Sequence, residues 1–167
     1  MQSLKIKMQN KKEQVVVLLH NIRSIHNVGS IFRTADALGV DKIYLSGYTP
    51  TPTDRFGRAR KDMAKVALGA EKTIKWQYVK SFKKIISDLK KEKFQIIGLE
   101  QSKKSVDYKK VKIKNPILFI VGSEVEGLST TILDLCDTVA EIPMRGKKES
   151  LNVSVAFGIA LARVLDL

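Results

Sequence analysis

Three stretches of this chain concentrate side chains able to do chemistry, and each directly follows an apolar run. The first is His20-Asn21-Ile22-Arg23-Ser24-Ile25-His26-Asn27-Val28-Gly29-Ser30-Ile31-Phe32-Arg33. The second is Gly122-Ser123-Glu124-Val125-Glu126-Gly127-Leu128, and the third Pro143-Met144-Arg145-Gly146-Lys147-Lys148-Glu149-Ser150-Leu151-Asn152. Taken singly, each has a plain structural use. Asn27 suits the cap of a helix, with Ser24 or Asn21 assisting. Arg33 suits a snorkelling or ion-paired residue, Gly122 and Gly127 suit turns, and Ser150 suits the cap of a last helix. Together they suggest a ligand site built from strand-end loops. Neither G-x-x-x-x-G-K-[ST] nor G-x-G-x-x-G occurs, which removes the main signatures of P-loop and dinucleotide-binding proteins. His20 and His26 have no partners at zinc-ligand spacing. No nucleophile stands beside a base, so covalent catalysis has no candidate.

The elements that would position these stretches are legible from apolar periodicity. Val15 to Leu19 is a continuous β-branched and apolar run of the kind buried on both faces of a parallel sheet. Val28, Ile31, Phe32, Ala35 and Leu38 recur at helical spacing over Asn27 to Leu38, and Gly39 follows as a stop. Lys42 to Ser46 reads as a strand, Arg58 to Ala67 as a short helix closed by Gly69, and Thr73 to Val79 as a strand. Phe82, Ile85, Ile86 and Leu89 form the stripe of a surface helix. Further strands are expected at Gln95 to Leu99, Ile117 to Val121 and Val139 to Ile142, and helices at Thr130 to Leu135 and Leu151 to Leu165. Strands alternating with helices predict an α/β fold, a mostly parallel sheet flanked by helices. In such sheets ligands bind beyond the carboxyl ends of the strands, where the three stretches lie.

The 167 residues carry 30 Lys and Arg against 17 Asp and Glu, a net charge of +13 that points to a polyanionic partner, nucleic acid first. Twelve lysines against four acids fall between Lys80 and Lys114. They serve equally well as a solvated helix face or as a binding field. Arg55, Arg58, Arg60, Lys61 and Lys65 against Asp54 and Asp62 make a second cluster, better suited to phosphate because guanidinium forks match its oxygens. One cysteine, Cys136, excludes a disulfide framework within the chain and a Cys-rich zinc site. With no apolar run long enough to span a bilayer and no signal-peptide pattern, a cytoplasmic protein is expected. Residues 1 to 14 read as a basic lead-in and 15 to 167 as one domain.

The segments Asn21 to Gly39 (NIRSIHNVGSIFRTADALG), Ile117 to Leu128 (ILFIVGSEVEGL) and Ile142 to Ala156 (IPMRGKKESLNVSVA) resemble, in order and spacing, the three motifs of the SpoU/TrmH family of RNA 2′-O-ribose methyltransferases, in the SPOUT superfamily. The resemblance implies an α/β knot fold with a C-terminal deep trefoil knot, an exception to the rule that chains do not thread loops. It implies S-adenosylmethionine as cofactor, giving S-adenosylhomocysteine, and no metal. Leu99, Gly122, Glu124, Gly127, Ile142, Met144, Ser150 and Leu151 would bind it, with glycines recurring because a Cβ would block close approach. Arg33, Asn27, Glu124, Ser150 and Asn152 match the family's catalytic positions. Asn27, Ser150 and Asn152 would orient the ribose and Arg33, while Glu124 would pair with a cation or fix a loop. An arginine is almost never neutral near pH 7, so Arg33 is either an unusual base or a charge that stabilises the reacting oxygen.

Arg23, Arg55, Arg58, Arg60 and Lys61 are the expected RNA contacts. A homodimer packed through the knot region is also implied, for which the last helix offers Val153, Val155, Ala156, Phe157, Ile159 and Ala160; plain core is the equal alternative. The absence of an added RNA-binding module favours tRNA over rRNA. A non-catalytic RNA-binding protein of the same fold is the competing reading.

Overall fold

The computed structural model describes residues 14–167. Its centre is a seven-stranded, wholly parallel sheet in the order β3-β2-β1-β6-β4-β7-β5. The strands are β1 (Val15–His20), β2 (Lys42–Ser46), β3 (Lys75–Val79), β4 (Gln95–Leu99), β5 (Val106–Asp107), β6 (Ile117–Val121) and β7 (Thr138–Glu141). The apolar runs behave as their composition demands. Strands β1 and β6 lie side by side in the register Val15↔Ile117 to Leu19↔Val121, and residues of both are buried on each face. Val15, Val17 and Leu19 join one core cluster, whereas Val16 and Leu18 join the other, the period-two alternation of a strand covered on both sides.

Helices α1 (Ile25–Ala37), α2 (Lys61–Ala67), α3 (Ala70–Thr73) and α6 (Val153–Val164) supply the first cluster; α4 (Phe82–Lys91) and α5 (Thr130–Leu135) supply the second. Phe32 and Phe157 are fully buried in the first, Ile86 and Ile132 in the second. Ser24, Ser81, Ser129 and Asn152 cap α1, α4, α5 and α6, each accepting a backbone N–H of the first turn. Helix α1 therefore begins two residues before Asn27, and α6 is capped by Asn152 rather than Ser150. Helix α2 starts only at Lys61, and its last turn closes at Leu68 in the left-handed region, φ 52°. The short edge strand β5 and a 3-10 turn at Tyr108–Lys110 had no sequence signature. The Cys136 thiol donates to the Ile132 carbonyl at 3.2 Å, and burial pushes its pKa up to about 12, so it is an inert packing group. No helix of the described residues is long and apolar enough to cross a membrane. The basic lead-in lies, apart from Gln14, outside the described residues.

Candidate active site

Because β6, β4 and β7 are neighbours, the loops leaving their carboxyl ends meet around a cleft of about 250 Å³. Leu99, Gly122, Glu124, Gly127, Ile142, Met144, Ser150 and Leu151 all line it. The turn after β6 forms its tightest wall. The Ser123 hydroxyl accepts from the N–H groups of Val125 at 3.3 Å and Glu126 at 3.2 Å, and the Gly127 N–H donates to the Ser123 carbonyl at 2.9 Å. Gly122 has no room for a side chain: a Cβ there would lie 2.6 Å from the Gly127 carbonyl oxygen. Gly127 sits at φ 66° with the Glu100 carboxylate where its Cβ would be. Glu100 braces the turn, accepting from the Leu128 N–H at 2.7 Å and the Gln101 N–H at 2.8 Å. Sequence reasoning missed Glu100. Its only signal was an acid immediately after a strand at the ligand-binding end of the sheet.

The cleft is also acidic. Glu100, Glu124, Glu126 and Glu141 line it, with no lysine or arginine among its lining residues, in a chain of net charge +13.

Glu124 joins the three sequence motifs. Its carboxylate accepts from the Arg23 N–H at 2.8 Å, the Ser24 N–H at 3.1 Å and the Asn27 side-chain amide at 2.9 Å. The Asn27 carbonyl oxygen accepts in turn from the Asn152 amide at 3.1 Å. The Asn152 oxygen caps α6 by accepting from the Ser154 N–H at 2.9 Å. Partial burial disfavours the Glu124 charge, but hydrogen bonds from Arg23, Asn27, its own N–H and Ser24 outweigh it, and the carboxyl pKa lies below the ordinary glutamate value. Of the two roles expected of Glu124, pairing with a cation or fixing a loop, the structure shows the second: among the described residues it forms no ion pair with Lys or Arg, and it holds the loop before α1. Asn27 and Asn152 spend their amides on this relay rather than on Arg33.

Arg33 lies six residues beyond Asn27, about 9 Å along the helix axis. It is exposed and makes no hydrogen bond or ion pair with the described residues, so the expected contacts from Asn27, Ser150 and Asn152 are not made. Ser150 lines the cleft and is itself exposed.

Across the 123–127 turn, a second hollow of about 450 Å³ is lined by Arg23, Tyr48, Ser123, Val125 and Glu126. Arg55, Arg58, Arg60 and Lys61 lie in and after the loop that leaves β2, which emerges at the same end of the sheet. Lys61 is exposed, and Arg60 keeps its Nε buried without a hydrogen-bond partner among the described residues. On α6, Phe157 and Ala160 are core, but Val155 and Ile159 remain 49% and 41% exposed one turn apart. The helix thus serves one face as core and leaves another uncovered.

The family model described as the SpoU rRNA Methylase family matches residues 14–162. The chain belongs to that family. Among its SpoU relatives is a protein of Staphylococcus haemolyticus (strain JCSC1435) named for the TrmH family of tRNA/rRNA methyltransferases. It is 34% identical over 161 residues, 95% of this chain and 62% of that protein. The chain therefore spans less than two thirds of that relative. A second, the tRNA (guanosine(18)-2′-O)-methyltransferase of Aquifex aeolicus (strain VF5), is 32% identical over 154 residues, 92% of this chain and 70% of that protein. The crystal structure of an AdoMet-bound rRNA methyltransferase from Sinorhizobium meliloti superposes with a TM-score of 0.79 at 28% identity, covering 92% of this chain and 56% of that one. The α/β SpoU fold expected from sequence is the fold found.

Proposed function

We propose that this chain transfers the methyl group of S-adenosylmethionine to a ribose 2′-oxygen of RNA, with tRNA as the preferred substrate. One observation carries the reading: an acidic cleft at the strand ends is tied by the Glu124–Asn27–Asn152 relay to the motif that bears Arg33. The cleft suits the cofactor on two counts. Gly122 and Gly127 let the 123–127 turn fold tightly against itself and Glu100, which keeps backbone at the cleft wall, with Leu99, Ile142, Met144 and Leu151 as apolar walls. Its glutamates favour a ligand bearing a sulfonium cation over an anionic nucleotide. The AdoMet bound to the Sinorhizobium relative and the tRNA 2′-O activity named for the Aquifex relative support the same reading.

When bound, S-adenosylmethionine supplies an electrophilic methyl on sulfur. The chain's own part is alignment and charge. Residues 122–127 and 142–151 hold the donor side. Glu124, through Asn27 and Asn152, keeps the start of α1 fixed against the turn, so that the ribose meets a preset surface. Arg33, which has no acid bound to it among the described residues, holds an RNA phosphate and stabilises negative charge on the 2′-oxygen as its proton passes to solvent water and the methyl leaves sulfur; a guanidinium does this while remaining protonated.

We extend the proposal to a trefoil knot, supported by the strand order with β6 between β1 and β4, and to a cytoplasmic homodimer that covers Val155 and Ile159 of α6. Calorimetry with S-adenosylmethionine, followed by methyl transfer to total tRNA, tests the enzyme reading. Saturable binding and a single methylated tRNA position are expected. RNA binding without cofactor binding would instead make this a non-catalytic RNA-binding protein.

A further inference from the structure

We propose that Phe56 is a stacking platform for an unpaired RNA base, presented by Asp54 and flanked by Arg55 and Arg58; the inference rests on the RNA reading above. Phe56 is 66% exposed, an unfavourable place for a benzyl group unless something covers it. The loop is not slack. An antiparallel bridge joins Thr53 to Ala59, and the Asp54 carboxylate accepts from the Phe56 N–H at 2.8 Å, the Arg58 N–H at 3.0 Å and the Arg58 Nε at 2.8 Å. Gly57 makes the reversal at φ 77°. The backbone hydrogen bond from Arg58, its guanidinium and the Phe56 N–H hold the Asp54 carboxyl below the ordinary aspartate pKa, so the brace stays charged at neutral pH. A braced loop thus lifts an aromatic ring into water.

The guanidinium carbons of Arg55 and Arg58 lie 4.8 and 5.0 Å from the ring centroid. This is a cation–π cluster that still leaves most of the residue open. An exposed ring with mobile guanidiniums over it fits single-stranded nucleic acid, in which a base can take the place of a guanidinium on the ring and the freed arginine can pair with a phosphate. Duplex bases are already stacked on one another and have no free face to offer. The loop leaves β2 at the same end of the sheet as the cleft, but Phe56 lines neither hollow, so the platform would take a nucleotide other than the reacting one.

The test uses the full chain with an unstructured RNA oligonucleotide carrying one 2-aminopurine, and with the same sequence as a duplex. Affinity and fluorescence are measured across a salt series. Phe56→Ala is expected to weaken single-strand binding by at least about fivefold, the lower end for loss of one base–aromatic stack. The salt slope, duplex affinity and Tm should remain those of the wild type, and Phe56→Trp should restore both affinity and the fluorescence change. Wild-type affinity in Phe56→Ala, or an equal loss for duplex, overturns this proposal alone. A wild-type chain that binds neither RNA overturns the RNA reading with it.

Discussion

The strand-end cleft and the loop after β2 stand at the same end of one sheet and carry opposite charge. Four glutamates and no basic residue line the cleft. The loop displays Arg55 and Arg58, with Arg60 partly buried beside them, and its Asp54 is already engaged by Arg58 at 2.8 Å. The acids divide further. Glu100 and Glu124 are consumed by backbone N–H groups and act as braces, whereas the carboxylates of Glu126 and Glu141 accept no hydrogen bond from the described residues. Net charge therefore describes the partner of one region and misdescribes the other. On the proposed reading, a polyanion is drawn to the arginines, while the cleft is kept for a cation.

Four perturbations press on this division. Arg33→Ala should lower methyl transfer by roughly 10²-fold or more, the scale of losing one charge-stabilising group. Cofactor affinity and Tm should be unchanged, because the side chain is exposed and unpaired among the described residues; a parallel loss of cofactor binding, read by calorimetry, would place Arg33 in the cleft and break the division. Raising salt from about 50 to 200 mM should weaken RNA binding by roughly 100-fold if five basic residues neutralise phosphates, a log–log slope of about −3.5 on single strands. Cofactor affinity should barely move over that range, and equal falls would mean one shared electrostatic surface. Gly122→Ala should cost roughly 1–3 kcal/mol of overpacking against Gly127 and lower Tm by several degrees. It should abolish measurable cofactor binding while leaving RNA affinity intact. The smallest effect belongs to Glu126→Gln with Glu141→Gln: about a 1.5- to fivefold loss of S-adenosylmethionine affinity, the size of exposed charge pairs. The uncharged thioether product should lose less, and equal loss for both ligands would show that the acids do not read the sulfonium.

What sequence could show follows from the range of the interactions. Strands β4 and β6 have the bounds that their apolar runs imply, since burial on both faces leaves no alternative period, and helix α5 has its expected bounds beside the Ser129 cap. The start of α1 was misplaced because Ser24, not Asn27, supplies the oxygen that caps it. Strand β5 is two residues long at a sheet edge, too short for any pattern. The eight cleft residues came from motif resemblance, but the work of Glu124 was hidden: its donors Arg23, Ser24 and Asn27 lie about a hundred positions away. Glu100 was hidden for the same reason. Its use depends on β4 and β6 being neighbours, which periodicity does not encode.

The central claim is that a methyl group goes to a ribose oxygen of RNA. It is tested most directly by incubating the protein with tRNA and methyl-labelled S-adenosylmethionine, then hydrolysing the RNA in alkali. A 2′-O-methyl blocks attack on the adjacent phosphate, so the account predicts label in an alkali-stable dinucleotide, absent with Arg33→Ala. Label released in mononucleotides would mean methylation of a base and would contradict the account.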